Sequence, residues 1–168
     1  MALEHRIRHL DLTQFTFLSL AVVLAACSSK VPAKIEMIDG RQVEIATAGS
    51  GGAATVVFEA GLGRDWTDWD EVASEVAHHT RIFAYSRPGY GASGPPTTPR
   101  DPKTIVEELR ALLASQGFAP PYLVVGHSNG GAYMELLAKS HPDEVIGVVL
   151  VGRAPGSRVA RRTATSVS

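Results

Sequence analysis

Tyr122-Leu123-Val124-Val125-Gly126-His127-Ser128-Asn129-Gly130-Gly131 is the stretch whose reading decides the fold. Its first four residues form a short apolar, β-branched run, the pattern of a buried strand. Gly126 to Gly130 then fits G-x-S-x-G, and Gly131 to Ser140 alternates small, apolar and polar residues at helical spacing. A strand, a tight glycine-flanked turn bearing serine and a helix form the layout that exposes a nucleophilic serine on a strained backbone. Gly126 and Gly130 are required because that helix must pass close to the strand. The helix N-terminus adds unpaired N–H groups and a positive dipole end where an oxyanion would form. A chance G-x-S-x-G in a glycine-rich chain is the competing reading, and the flanking strand and helix count against it.

Working outward, the chain alternates strand and helix signals. Ile35 to Ile38 and Gln42 to Ala46 read as strands joined by Asp39-Gly40, a two-residue hairpin signal. Thr55 to Phe58 reads as a buried strand, and Gly61-Leu62-Gly63 opens the loop after it. Trp66 to His78 is an expected helix with Trp66, Trp69, Val72 and Val76 facing inward. Arg81 to Tyr85 is the next strand, followed by the loop Ser86 to Gly91. Asp101-Pro102 is a helix start, a capping residue followed by proline at the first helical position. That helix runs to about Gln116 with Ile105, Leu109, Leu112 and Leu113 on one face, and Gly117 stops it. The run Val145 to Val151 is a further strand. Strands alternating with helices imply right-handed crossovers and a mostly parallel sheet covered by helices.

The residues at this point resemble the α/β-hydrolase fold family, over roughly Ile35 to Val151. Phe58-Glu59-Ala60-Gly61-Leu62-Gly63 resembles the family's oxyanion loop after the third strand. Tyr85-Ser86-Arg87-Pro88-Gly89-Tyr90-Gly91-Ala92-Ser93 is similar to its turn after the fourth. Gly126 to Gly131 is the nucleophile elbow, and His141-Pro142-Asp143-Glu144-Val145 is like the family's entry to its sixth strand. Ser86 stands where related sequences often carry Asp, and a local structural effect is expected there. The resemblance implies Ser128 as nucleophile, with the backbone N–H of Asn129 as one oxyanion donor and that of Leu62 as the other. It implies hydrolysis of a carboxylic ester or related small-molecule acyl compound through an acyl-Ser128 intermediate, with no metal or organic cofactor.

The family's catalytic order is Ser, then Asp or Glu, then His. After Ser128 the sequence holds one histidine, His141, in a turn where the family has an ordinary loop residue. Asp143 and Glu144 read as solvated loop charges, His127 as a packing or pocket-tuning residue, and His78 and His79 as the end of a surface helix. The sequence therefore reads as a hydrolase domain over 35–152, truncated after about the sixth strand, lacking the triad acid and base. Val145 to Val151 would then lie at the sheet edge, apolar and open to pairing with a partner. A catalytically inactive, surface-anchored scaffold that binds an acyl ligand or a partner protein is the alternative, and a decayed, unstably folded product a third reading.

The bulk numbers fit one domain. The chain has 168 residues, 45% of them hydrophobic, and a formal net charge of −1, a balance that gives no indication of a nucleic-acid partner. Arg6 and Arg8 precede the apolar run Phe15 to Ala26, too short for a spanning helix, which needs ~20 residues, but suited to a signal-peptide core. Leu24-Ala25-Ala26-Cys27 resembles a bacterial lipobox, with lipid attached at Cys27, the single cysteine. Residues 1–26 are then a lipoprotein-type signal peptide and 27–34 a tether, and 153–168, with Arg153, Arg158, Arg161 and Arg162, a disordered tail. Ser28 in place of Asp favours the outer membrane or cell surface. An ordinary secretory signal with an incidental cysteine is the alternative.

Overall fold

The computed structural model describes residues 31–152. The expected signal peptide, Cys27 and the tail over 153–168 lie outside them. Six strands and three helices follow in order: β1 Ala33–Ile38, β2 Arg41–Ala48, β3 Thr55–Glu59, α1 Asp70–Val76, β4 Ile82–Tyr85, α2 Pro102–Ser115, β5 Tyr122–His127, α3 Asn129–Ser140 and β6 Val145–Val151. The strands form one mixed sheet in the order β1-β2-β4-β3-β5-β6. The pairs β3–β4, β3–β5 and β5–β6 are parallel, whereas β1–β2 and β2–β4 are antiparallel. This is the mostly parallel, helix-flanked sheet that the alternating pattern implies.

The hairpin forms where Asp39-Gly40 places it. Both residues take positive φ, 49° and 75°, the backbone that a two-residue turn needs to match the twist of its strands. β1 begins at Ala33, two residues before the expected start. Val31 is buried, and its N–H donates to Asp70 Oδ1 at 2.8 Å, so residues 31–34 belong to the folded body rather than to a tether.

Side-chain alternation along the central strands divides the core into two layers. Val57, Phe83, Tyr85, Tyr122 and Val124 face α2 and α3, meeting Leu109, Leu113, Met134 and Leu137. Val56, Phe58, Ile82, Ala84 and Val125 face the other way, against Trp66, Trp69 and Ala73. Burial on both faces is what a central parallel strand requires, and it explains why Thr55–Glu59 is buried throughout. On α2 the buried positions are Ile105, Val106, Leu109, Leu112 and Leu113, the expected apolar stripe. Asp101 caps that helix by accepting from the N–H groups of Lys103 and Thr104.

Two local expectations are corrected. The helix over Trp66–His78 is a 3₁₀ turn, Trp66–Trp69, followed by α1. The tighter opening turn rotates the inner face onto Trp66, Trp69 and Ala73, and Val72 points to solvent at 50% exposure. Glu144 is not a solvated loop charge. Its carboxylate accepts from Nε and Nη2 of Arg110 on α2, fixing the turn before β6 to the neighbouring helix.

Candidate active site

β5 and α3 meet at Ser128, whose backbone sits at φ 51° and ψ −119°. That conformation is unfavourable for a residue with a Cβ and persists only when the surroundings over-determine it. Here they do. A Cβ on Gly126 would lie 2.6 Å from the backbone of Gly131, and one on Gly130 would lie 2.5 Å from the carbonyl oxygens of Glu59 and Ala60. Strand, turn and helix are thus in direct backbone contact, which only glycine permits at these two positions. The Ser128 N–H donates to the Val151 carbonyl at 3.1 Å, and its carbonyl accepts from Gly131 N–H at 3.0 Å. The residue itself is exposed, so the turn presents its hydroxyl outward.

Asn129 opens α3, where first-turn N–H groups have no intrahelical acceptor and the dipole is positive. Leu62 lies in the loop after β3, 65% exposed. This loop adjoins the elbow: a Cβ on Gly61 would meet His127 Nδ1 at 2.8 Å, and one on Gly152 would meet the other side of the same ring at 2.8 Å. His127 therefore fills the slot between Gly61 and Gly152 and packs the two loops together. Beyond it, the Arg64 side chain holds the Asp68 carboxyl below the usual carboxylate range.

The histidines that the sequence reading set aside as a base lie elsewhere. His141 closes α3 at the end opposite Ser128, about 18 Å away along a helix of this length, and its Nε2 lies 2.9 Å from Glu107 Oε1. His78 and His79 precede β4, at the N-terminal edge of the parallel strands, whereas Ser128 follows the C-terminal edge. Ser86 is buried. Its hydroxyl donates to Glu44 Oε2 at 2.7 Å and stands 3.5 Å from the Trp66 N–H, a structural role as expected.

One charged group near the elbow escaped the sequence reading. Glu59 ends β3 fully buried, and Arg87, 3% exposed, follows β4. The Arg87 Nη1 bonds Glu59 Oε1, and the Tyr85 hydroxyl donates to Glu59 Oε2 at 2.6 Å. Arg87 also donates to the carbonyls of Ala60, at 2.6 Å, and Gly61, at 2.5 Å. Burial pushes the Glu59 carboxyl up, while Arg87 and Tyr85 draw it back down. Burial and the neighbouring carboxylate together push the Tyr85 phenol well up. The signal was present as opposite charges ending two apolar strands. It becomes readable only once β3 and β4 are known to be neighbours.

A cleft of about 630 Å³ opens between the β1–β2 turn and α2, lined among others by Ile38, Arg41, Lys103 and Glu108. Its lining includes neither the elbow nor the loop after β3, so this volume is not an acyl pocket for Ser128. Among the described residues no cluster of three or more His, Cys, Asp or Glu could hold a metal ion, and no helix is long and apolar enough to cross a membrane.

Comparison with known proteins agrees with this geometry. The uncharacterized protein YqjL of Bacillus subtilis is 38% identical over 108 residues, 64% of this chain and 42% of that protein. A non-heme chloroperoxidase of Streptomyces lividans is 29% identical over 119 residues, 70% of this chain and 43% of its own length. The solved structure of the epoxide hydrolase CorEH superposes with a TM-score of 0.65 at 28% identity, covering 71% of this chain and 41% of that one. The chain thus spans less than half the length of each of these proteins. The family model for the alpha/beta hydrolase fold matches residues 54–164, which include β3, the elbow and β6, and the chain belongs to the α/β-hydrolase fold family.

Proposed function

We propose that this member of the hydrolase family acts by acyl transfer: Ser128 attacks the carbonyl of a carboxylic ester, the C–O bond to the alcohol breaks and the alcohol leaves with the serine proton, and water then hydrolyses the acyl-Ser128 intermediate to the carboxylic acid and free Ser128. The backbone N–H groups of Asn129 and Leu62 receive the tetrahedral oxyanion. The observation that carries this reading is the Ser128 backbone, held at positive φ between β5 and α3 with its side chain exposed. Backbone donors pre-aimed at the developing charge each lower the barrier by roughly 3 kcal/mol. They need no side-chain ordering at the moment of reaction. A serine here, where the family's epoxide hydrolases use a carboxylate, favours acyl transfer over epoxide opening.

A second reading is a scaffold that binds acyl compounds or a partner without turning over substrate. The placement of His78, His79 and His141 away from Ser128 favours it, because none of these three reaches the serine to act as its base. One experiment separates the two. The full chain is treated with a fluorophosphonate beside Ser128→Ala, and the adduct is located by mass spectrometry. Labelling that Ser128→Ala abolishes supports the nucleophile. An unlabelled chain that circular dichroism shows to be folded supports the scaffold.

We also propose that the chain is exported as a lipoprotein, with 1–26 removed and lipid carried by Cys27. The support is the apolar run ending in Leu24-Ala25-Ala26-Cys27. Expression in a bacterial host with labelled palmitate should give a labelled membrane-associated product that Cys27→Ser loses. Equal labelling of the variant would overturn the proposal.

A further inference from the structure

We infer that Arg87 is a positioning residue for the oxyanion site, holding the Gly61–Leu62 peptide so that the Leu62 N–H faces outward beside the elbow. The inference rests on the acyl-transfer reading and adds the device that aims one of its donors. A peptide unit is planar and trans, so its C=O and N–H point in opposite directions. Fixing the Gly61 carbonyl therefore fixes the Leu62 N–H. That carbonyl accepts from Arg87 Nη2 at 2.5 Å and from the Arg64 N–H at 3.3 Å. Arg87 is buried, whereas Leu62 is exposed. The carbonyl is thus anchored on the inner side and the N–H is turned to the outer side, where Gly61 adjoins His127 and His127 adjoins Ser128 in the chain.

The clamp is itself braced. Arg87 Nη1 holds the preceding carbonyl, Ala60, at 2.6 Å, so two successive peptide planes rest on one guanidinium. Glu59 neutralises the buried cation, and Tyr85 bonds the second oxygen of Glu59. The rings of Tyr90 and Tyr133 lie 5.0 and 5.6 Å from the guanidinium carbon, which adds cation–π contact. Tyr133 belongs to α3, so the clamp also touches the helix that follows the serine. A planar fork with five donors can bond a carboxylate and two carbonyls at once, and a lysine ammonium cannot reproduce that pattern. A charge-assisted bond into the carbonyl also polarises the N–H of the same peptide.

The test compares the full wild-type chain with Arg87→Lys and with Glu59→Gln/Arg87→Met. The double variant removes both charges together, so no buried carboxylate is left unpaired. Two readouts are taken: kinact and KI for fluorophosphonate labelling of Ser128, and hydrogen–deuterium exchange over residues 61–64. In the double variant kinact should fall by about tenfold or more, with KI changed by less than about twofold, because a mis-aimed donor is felt in the transition state. Exchange over 61–64 should rise, and Arg87→Lys should lie between the two. A folded double variant with wild-type kinact and wild-type exchange would overturn the inference. Should the double variant fail to fold, Arg87→Lys decides on the same readouts. Absence of Ser128 labelling in the wild type would defeat the acyl-transfer reading alone. Exchange then decides the clamp, and unchanged exchange in the variants overturns it.

Discussion

The Ser86 hydroxyl donates to Glu44 Oε2 at 2.7 Å across the β2–β4 pair. The same carboxylate oxygen accepts from the Ala92 N–H at 2.9 Å, so one Glu on β2 organises the turn that follows β4. The family resemblance leads one to expect a carboxylate at position 86 itself. Here it arrives from the adjacent strand.

This relocation predicts a specific coupling. Ser86→Asp would bury a second carboxylate against Glu44 and should cost roughly 2–4 kcal/mol. Adding Glu44→Ala should restore stability to within about 1 kcal/mol of the wild type, because the new Asp then takes over the turn. Urea unfolding of the two singles and the double measures the cycle. Additive effects would sink the idea.

Close backbone approach at the elbow gives a second prediction. Gly130→Ala places a methyl group 2.5 Å from the carbonyl oxygens of Glu59, the last residue of β3, and Ala60, which follows it. The cost should be about 3 kcal/mol, at the upper end for overpacking. A urea midpoint within experimental error of the wild type would show that α3 can shift away from the sheet.

Acid should unfold the protein through its paired carboxylates. Arg110 holds Glu144 below its ordinary value of 4.5. Burial alone would raise Glu108, but Thr98, Arg100 and Arg41 outweigh it and the net direction is down. Asp101 is lowered by the hydroxyl and N–H of Thr104. A carboxyl depressed in the folded state binds fewer protons there than in the unfolded chain. Its stabilisation is complete above the unfolded value and is lost as pH falls through the folded one. Glu59, raised by burial, works in the opposite direction. Unfolding free energy should therefore decline below about pH 4.5, and Glu108→Gln should flatten that decline. Equal pH slopes for wild type and variant would count against it.

Among the described residues β6 pairs only with β5. Its Ile146 and Val149 are 51% and 44% exposed. An apolar strand with an open ladder is a template for association. We propose that this edge drives self-association or pairing with a partner strand. Ile146→Lys/Val149→Lys should lower light scattering on concentration and leave the urea midpoint nearly unchanged. Identical scattering would remove the edge from consideration.

The parts of this fold that were legible in the sequence are those fixed by local rules. Asp39-Gly40 marks the hairpin, Asp101-Pro102 starts α2, and the strand, serine and glycines around Ser128 mark the elbow, because each depends on residues a few positions apart. Val72 was misplaced because a 3₁₀ turn before α1 shifts the periodic face, and nothing in the spacing of Trp66 and Trp69 separates a 3₁₀ from an α turn. Glu59 and Arg87 were missed, and Glu144 misread as solvated, for a different reason. Their partners are supplied by strand order and helix packing, with Arg110 and Glu144 thirty-four positions apart, so no local pattern announces them.

The sheet order also sets the sequence in which the molecule is completed. β1 and β2 close across a two-residue turn, whereas Val57 of β3 finds Val124 of β5 only after sixty-seven intervening steps of chain. Pairings of that span come late, since the entropy of closing the loop is lost before the contacts form. The Ser128 turn draws on both neighbours of β5: its N–H donates to Val151 of β6, and Gly130 packs against the Glu59 and Ala60 carbonyls. A chain with only its hairpin and helices formed lacks the contacts that hold residue 128 at positive φ. The geometry at residue 128 should thus be among the last features of the fold to form, because it draws on strands from both sides of β5.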